Sequence, residues 1–421
     1  MISIQIRKKH LFYVLAVSSS LIAALVTGID SWITHLLVET YSFDKVPWLF
    51  GFSAFLVGTV ATLLLCLLFS IPFKGRSIGG RLIDPSFNHL RLVQRKELKY
   101  HLLAGLGNAV TTIGYFYLLS VMVDPSAVLP FYQVVILYLL MVEVVAEKNS
   151  PTLVEVQSSV IVTFGAILGS ISLSGNIDLT AMAIIFLVVN PGWVILSIYQ
   201  RRLKLLKIKD KPNDSLNIRF WNLVFTFIFI TVFILVFDQV RGTSYFMESL
   251  DASRRFFWWI VLSMSVTFFS YVFYIRALGI GKASITQAVK ATTIIFAVPV
   301  TFVLSLFMPI SMPSTPVLWL IKGMGMILVI LGIVSFAVTQ VKAYVFIRAQ
   351  PGVKVSSLLE EVWNIRGVDS VSAVSGKYDL VAKVRIRTLL KGYERIIRKL
   401  ETIPGIKEFR WNSILKEWEN V

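Results

Sequence analysis

Apolar residues run through this chain in long, recurring blocks separated by short polar stretches. A bilayer core takes about 20 apolar residues as helix, because every backbone polar group must be bonded within the segment. Ten stretches qualify, near residues 11–35, 48–72, 101–122, 126–146, 155–174, 179–200, 219–238, 256–276, 284–307 and 316–339. After residue 340 the pattern changes. Residues 343–348 alternate as a strand does, Pro351-Gly352 turns the chain, and an amphipathic helix ends near Asn364. Strand-like runs at 368–374 and 378–384 flank the turn Ser375-Gly376-Lys377, a second helix covers about 389–402, and a last strand spans 406–414. The expected fold class is an all-α polytopic membrane protein followed by a small α+β ferredoxin-like domain of βαββαβ order.

Composition agrees with the runs. The chain is 56% hydrophobic and only 15% charged over 421 residues, with a mean hydropathy of +0.74, so most of the apolar surplus must face lipid. Its net charge of +17 would suggest nucleic acid in a soluble protein, but the basic residues fall in alternate loops. Arg7, Lys8 and Lys9, then Lys74 to Lys99, then Arg201 to Lys211 share one side, while the other holds little more than Lys45, Arg241, Arg254 and Arg255. The positive-inside rule then places both termini in the cytoplasm and accounts for the charge without a nucleic-acid partner. A basic stretch leading an apolar one at the start resembles a signal peptide, yet nine further runs favour a first span.

The ten runs repeat as five plus five. Residues 125–133 line up with 282–290, and Ser158 and Gly165 have the same spacing as Gly325 and Gly332. Five is odd, so the halves, 1–175 and 176–340, have opposite orientation, with 341–421 as the third domain. Such inverted repeats place a substrate site near the midplane. With Ala146-Glu147-Lys148 closing the fourth run, residues 1 to about 340 resemble the EamA-like branch of the drug/metabolite transporter superfamily. The second span departs from that family in lacking an Arg. The resemblance implies gradient-driven movement of a small metabolite. The tail resembles the ligand-binding (RAM) domain of Lrp/AsnC-type regulators, carried by 343–348, Pro351-Gly352, 365–368, 374–384 and 403–406. It implies an amino-acid-like effector at Gly376, Tyr378 and Asp379 and a homodimer through the tail. The family's helix-turn-helix is absent.

Ionisable groups inside a membrane are functional candidates because they are costly, about 3 kcal/mol at mid-helix on insertion scales. Lys290, its repeat mate Gln133 and nearby Gln287 are substrate-binding candidates, although Lys290 also stands within reach of snorkelling. Lys322 sits beside Gly323 and Gly325, where either a site or an outward-turned lysine fits. Asn190-Pro191-Gly192 interrupts the sixth run, as a discontinuous helix at a site or as a plain kink. Glu143, and Asp30 near the outer end of the first run, are candidates for coupling. With two deep lysines and no deep carboxylate, the expected substrate is anionic or zwitterionic. For the tail, Asp379 either binds an ammonium group or caps its turn.

Other signals exclude chemistry. The single Cys66 and four scattered histidines offer no metal site, the segment around Gly281-Lys282 is not a phosphate loop, and no catalytic constellation or cofactor motif emerges. The chain is therefore read as a secondary transporter with a sensing tail, not an enzyme. A membrane receptor without transport and a flippase of a lipid-linked sugar are the other readings.

Overall fold

The computed structural model describes residues 8–121, 134–146, 153–170, 183–208, 211–307, 315–338, 341–365, 367–386 and 392–413. These form two compact units, one over Lys8–Leu139 and Ile161–Ile330, the other over Leu140–Val160 and Leu331–Val421.

The first unit is mostly helical, with two short hairpins, β1 (Pro72–Phe73) with β2 (Arg76–Ser77) and β3 (Lys207–Ile208) with β4 (Lys211–Pro212). Its helices are α1 (Lys8–Thr40), α2 (Val46–Ser70), the short α3 (Ile78–Leu82), α4 (Arg95–Val121), and parts of α5 (Val135–Ala146) and α6 (Leu153–Ser170). A π-helical turn at Ile185–Val189 leads into α7 (Asn190–Leu205), followed by α8 (Ser215–Arg241), α9 (Tyr245–Arg255), α10 (Phe257–Ile280), α11 (Ala283–Lys290), α12 (Thr293–Leu304) and the start of α13 (Pro316–Val338). Among the described residues, six helical segments are long and apolar enough to cross a membrane. Their outer faces carry exposed aliphatic side chains, such as Val60, Leu64 and Leu67 on α2 and Val232, Val236 and Val240 on α8, as lipid contact requires.

Small residues set how closely the helices approach. A Cβ on Gly107 of α4 would lie 2.7 Å from the Gly192 carbonyl of α7, and one on Gly165 would lie 2.7 Å from the Gly325 carbonyl. The Gly165 and Gly325 pairs read from the sequence are thus backbone contacts between α6 and α13. On α1 and α10, Ser19 and Ser270 each donate to the other's carbonyl, at 2.8 and 2.9 Å.

Three local features differ from the sequence expectation. Asn190-Pro191-Gly192 does not interrupt its helix. Pro191 cannot donate a backbone bond, and the helix widens into the π turn just before it, where Thr111 Oγ1 donates to the Val189 carbonyl at 2.7 Å and Tyr138 to that of Phe186 at 3.1 Å. The run at 284–307 breaks at Ala291-Thr292, because the Thr292 and Thr293 hydroxyls bond back to the carbonyls of Val289 and Lys290 at 2.9 and 2.6 Å and tighten the turn. A helix also fills 245–255, its start held by Asp238, which accepts from the backbone N–H groups of Tyr245 and Phe246 at 2.9 and 2.8 Å.

A buried polar network ties the segment after α3 to the α7 end and the α8 start. Lys204 Nζ lies 2.7 Å from Asp84 and donates to the Asn213 carbonyl at 2.6 Å, and Ser215 donates to Asp84 through both its N–H and its hydroxyl. Arg91 makes a bidentate pair with Glu97 at 2.7 Å in each arm, and Asn213 also donates to Glu97 at 2.7 Å. Burial alone raises the Asp84 carboxyl, but the Lys204 ammonium and the Ser215 donors outweigh it and hold it at about 2.

In the second unit, β5 (Val341–Ala349), α14 (Val355–Trp363), β6 (Val368–Ala373), β7 (Leu380–Ile386), α15 (Gly392–Glu401) and β8 (Ile406–Ser413) follow in that order, close to the sequence-derived boundaries. The antiparallel sheet runs β6-β7-β5-β8. Val345 and Ile347 of β5 and Leu380, Ala382 and Val384 of β7 form a core with Leu358, Val362, Ile396 and Leu400 of the two helices. Alternation along each strand turns Tyr344, Phe346, Val381 and Lys383 to the opposite face.

Two outcomes follow. Gly107→Val drives a side chain into backbone and lowers the melting temperature of the detergent-solubilised chain, by overpacking worth about 2 kcal/mol. Gly323→Ala, where an added Cβ meets nothing within 4 Å, serves as the control, and equal melting of the two contradicts the packing. A carboxyl held lower when folded than when unfolded adds stability that is complete above about pH 5 and is lost as pH falls toward 2. Asp84→Asn therefore flattens the fall in stability between pH 5 and 3, by about 1 kcal/mol, read as a shallower fall in melting temperature; an unchanged acid profile contradicts the assignment.

Candidate functional site

The helices of the first unit enclose a cavity of about 130 Å³. Its wall is apolar over much of its area, through Ala23 and Val26 of α1, Ala54 and Phe55 of α2, and Met264 of α10. Hydroxyls such as those of Thr27, Thr111, Thr112 and Thr267 also line it, and the charged and amide groups are placed by identifiable features. Asp30 comes from α1, Arg219 from α8, Tyr271 from α10, and Gln287 and Lys290 from the last turn of α11 before the break.

Arg219 is 1% exposed, and its guanidinium stacks on the Tyr271 ring with Cζ 4.0 Å from the centroid. Among the described residues its Nε and Nη1 have no hydrogen-bond partner. The Lys290 ammonium sits among three rings, 4.6 Å from the centroids of Trp193 and Tyr274 and 5.7 Å from that of Tyr271. The rings are fixed in turn: Trp193 Nε1 donates to Gln287 Oε1 at 3.2 Å, and the Tyr274 hydroxyl is 2.8 Å from that of Ser197. Aromatic faces are electron-rich, so this box holds a cation in place of water. Among the described residues the ion pairs of this unit, Lys45–Glu248, Arg91–Glu97, Lys204–Asp84 and, when protonated, His35–Glu39, involve neither Arg219 nor Lys290.

Asp30 corrects the sequence reading. It does not stand near the end of its helix, because α1 continues ten residues further to Thr40, and its carboxylate lies in the cavity wall. There it accepts from Ser263 Oγ at 2.5 Å and from the Tyr115 hydroxyl at 3.2 Å. The expectation that the deep positions lack a carboxylate is therefore overturned.

Of the sequence candidates, Lys290, Gln287 and Asp30 meet at this cavity. Asn190 and Lys322 are buried outside it, and the amide atoms of Asn190 have no partner among the described residues. Gln133 and the side chain of Glu143 lie outside the described residues. The sequence reading missed Arg219, Trp193, Tyr115 and Tyr271. Arg219 was counted as the edge of an apolar run beginning at 219, whereas Asp214 caps the helix by accepting from the Asn217 N–H at 2.7 Å, so α8 starts at Ser215 and Arg219 falls inside it. The cap box of Asp214 was the available signal. A second cleft, of about 600 Å³, is lined wholly by apolar groups including Leu25, Trp32, Trp259, Phe296 and Phe307.

In the tail, Gly376 adopts φ +140°, a conformation that excludes most side chains. Tyr378 packs on Phe346 with ring centroids 5.5 Å apart. Asp379 Oδ2 accepts the Ala349 N–H at 2.8 Å where β5 shifts register against β8, and the Asp379 N–H donates to the Ile347 carbonyl at 3.0 Å. The carboxylate thus closes the strand end, and its remaining lone pairs stay open to a donor.

Residues 342–420 match the Lrp/AsnC ligand binding domain family model, so the chain ends in a domain of that family. No curated protein matches the chain. One solved crystal structure, described only as that of a protein, is 13% identical with a TM-score of 0.46 over 76% of this chain and 98% of its own; so distant a likeness carries no argument.

Asp379→Ala leaves the Ala349 N–H unsatisfied, costing about 1–3 kcal/mol locally, whereas Asp379→Asn keeps an acceptor. Hydrogen exchange at residues 347–349 of the full chain is expected to speed up at least tenfold in the alanine variant and little in the asparagine one. Equal exchange in both contradicts the closing role.

Proposed function

We propose that the chain is a secondary transporter of a small anionic or zwitterionic metabolite, regulated by an amino-acid-like effector on its C-terminal domain. The cavity carries this reading: Arg219 and Lys290 are two cations held among membrane-spanning helices, one of them with unused donors. A purely structural arginine would be expected to have its donors satisfied. An incoming carboxylate or phosphate supplies what the guanidinium lacks, and Asp30 is positioned to exchange a proton or to hold a positive group.

The remaining parts of the reading come from the sequence. Ten spans in two inverted halves fit the apolar runs, with both termini cytoplasmic by loop charge, as in the EamA-like transporters that residues 1–340 resemble. The tail's strand order, with two helices packed in its core, supports reading it as a ferredoxin-like unit. The family of the tail supports a small-molecule effector near Gly376, Tyr378 and Asp379 and pairing of two copies through their sheets. A second reading, movement of an anion linked to a lipid, is favoured by the wholly apolar cleft beside α1, α10 and α12, which has the character of an acyl-chain groove.

Reconstituted in liposomes and screened against a metabolite pool, the full chain is expected to exchange compounds bearing a carboxylate or phosphate. Lys290→Ala, folded as judged by gel filtration and melting, is expected to slow that exchange at least tenfold, about 1.4 kcal/mol. Undiminished exchange by that variant removes the assigned role of the cavity.

A further inference from the structure

The cavity has two poles of opposite sign, and their spacing bears on the substrate. This inference rests on the transport reading above. At one pole Asp30 is bonded to Ser263 of α10. At the other, Arg219 stacks on Tyr271 and Lys290 on Tyr274 of the same helix. Tyr271 and Tyr274 follow Ser263 by eight and eleven residues, about 12 and 16 Å along the axis. Helix α1 gives the same measure independently: Ser20 meets Thr292, two residues past Lys290, at 2.6 Å, and Asp30 lies ten residues, about 15 Å, further along. Helical side chains lean toward the N-terminus, which on α10 brings both rings back toward Ser263 and leaves the charged groups on the order of 10 Å apart.

Neither pole is paired with the other. Asp30 accepts two hydroxyls, while a carboxylate has about four acceptor positions. Arg219 has two nitrogens without a partner among the described residues. Between the poles much of the wall is apolar, through residues such as Ala23, Val26 and Met264, with the hydroxyls of Thr27 and Thr267 interspersed, so a spacer meets mostly apolar contact and no charge.

We infer that the cavity selects a molecule charged at both ends, with a carboxylate at Arg219 and Lys290, an ammonium at Asp30 and methylenes between. Subtracting two charge-assisted bonds of about 2.8 Å from the separation leaves on the order of 5 Å, the span of an ω-amino acid of about four to six carbons. An α-amino acid with an apolar side chain holds both charges on one carbon. It reaches one pole and leaves the opposite buried charge without a partner, a penalty that discriminates strongly. A dicarboxylate of the same length puts like charges together at Asp30.

The test is exchange by the full chain in liposomes, with 5-aminopentanoate, lysine, pentanoate, pentylamine, leucine and glutarate as competitors. 5-Aminopentanoate is expected to compete at concentrations at least tenfold lower than pentanoate, pentylamine, leucine and glutarate, and lysine less well than 5-aminopentanoate, because its α-ammonium falls beside Arg219 and Lys290. Asp30→Asn is expected to narrow the gap between 5-aminopentanoate and pentanoate, and Lys290→Gln the gap between 5-aminopentanoate and pentylamine. The parent panel decides the matter even if a variant fails to fold. Pentanoate, pentylamine, leucine or glutarate competing as well as 5-aminopentanoate overturns the two-pole inference and leaves the transport reading standing, while binding of none of the six overturns this inference, and failure of the wider pool to exchange overturns the transport reading itself.

Discussion

A guanidinium buried among long apolar helices must be compensated by what surrounds it, and much of the first unit can be understood from how Arg219 and Lys290 are compensated. Neither has a carboxylate at ion-pair distance among the described residues. Rings supply the compensation, and rings work only if their faces are held. Tyr271 depends on α10 lying against α1, which the reciprocal Ser19 and Ser270 bonds set. Trp193 depends on α7 lying against α4, which Gly107 and Gly192 allow. The π turn before Pro191 and the break after Lys290 place α7 and the end of α11 at the cavity. Both distort the backbone, and in both a threonine hydroxyl takes up a carbonyl.

The same unit contains buried charge of a second kind. Around Asp84, Lys204, Arg91 and Glu97, each charge has several bonded partners, and the Asp84 carboxyl is held low as a result. Such a network locks segments together. The contrast separates scaffold from site: satisfied charges hold the segments that flank α7 and α8, while the unsatisfied guanidinium faces a cavity with room for a ligand.

Much of the fold was legible in the sequence. The tail's strands and helices fell within a few residues of their observed ends, since alternation and turn residues are local signals. Lys290 was legible because a lysine inside an apolar run is conspicuous. Asp30 was legible only as a coupling candidate near a helix end and Arg219 not at all, and for one reason: the helices carrying them extend beyond their apolar runs, α1 to Thr40 and α8 back to Ser215, so charges read as marginal are interior. Hydropathy finds the part of a helix that meets lipid and not the part that meets protein. The π turn and the break at Ala291-Thr292 were illegible because side chains from elsewhere in the fold, or hydroxyls acting on their own turn, decide them. Helix α9 escaped because its polar sequence falls between the apolar runs at 219–238 and 256–276 and carries no signal of a span.

The central claim is that the cavity is a passage and not only a receptor pocket. Thr267 lines it one turn before Tyr271, and Cys66, the single cysteine, is buried and is exchanged for alanine to remove its thiol. The direct measurement is labelling of a Thr267→Cys, Cys66→Ala chain, folded as judged by melting, by a membrane-impermeant thiol reagent added to each side of oriented vesicles. The account predicts labelling from both sides, slowed by bound substrate; labelling from one side alone, whatever ligand is present, would contradict transport and point to a receptor.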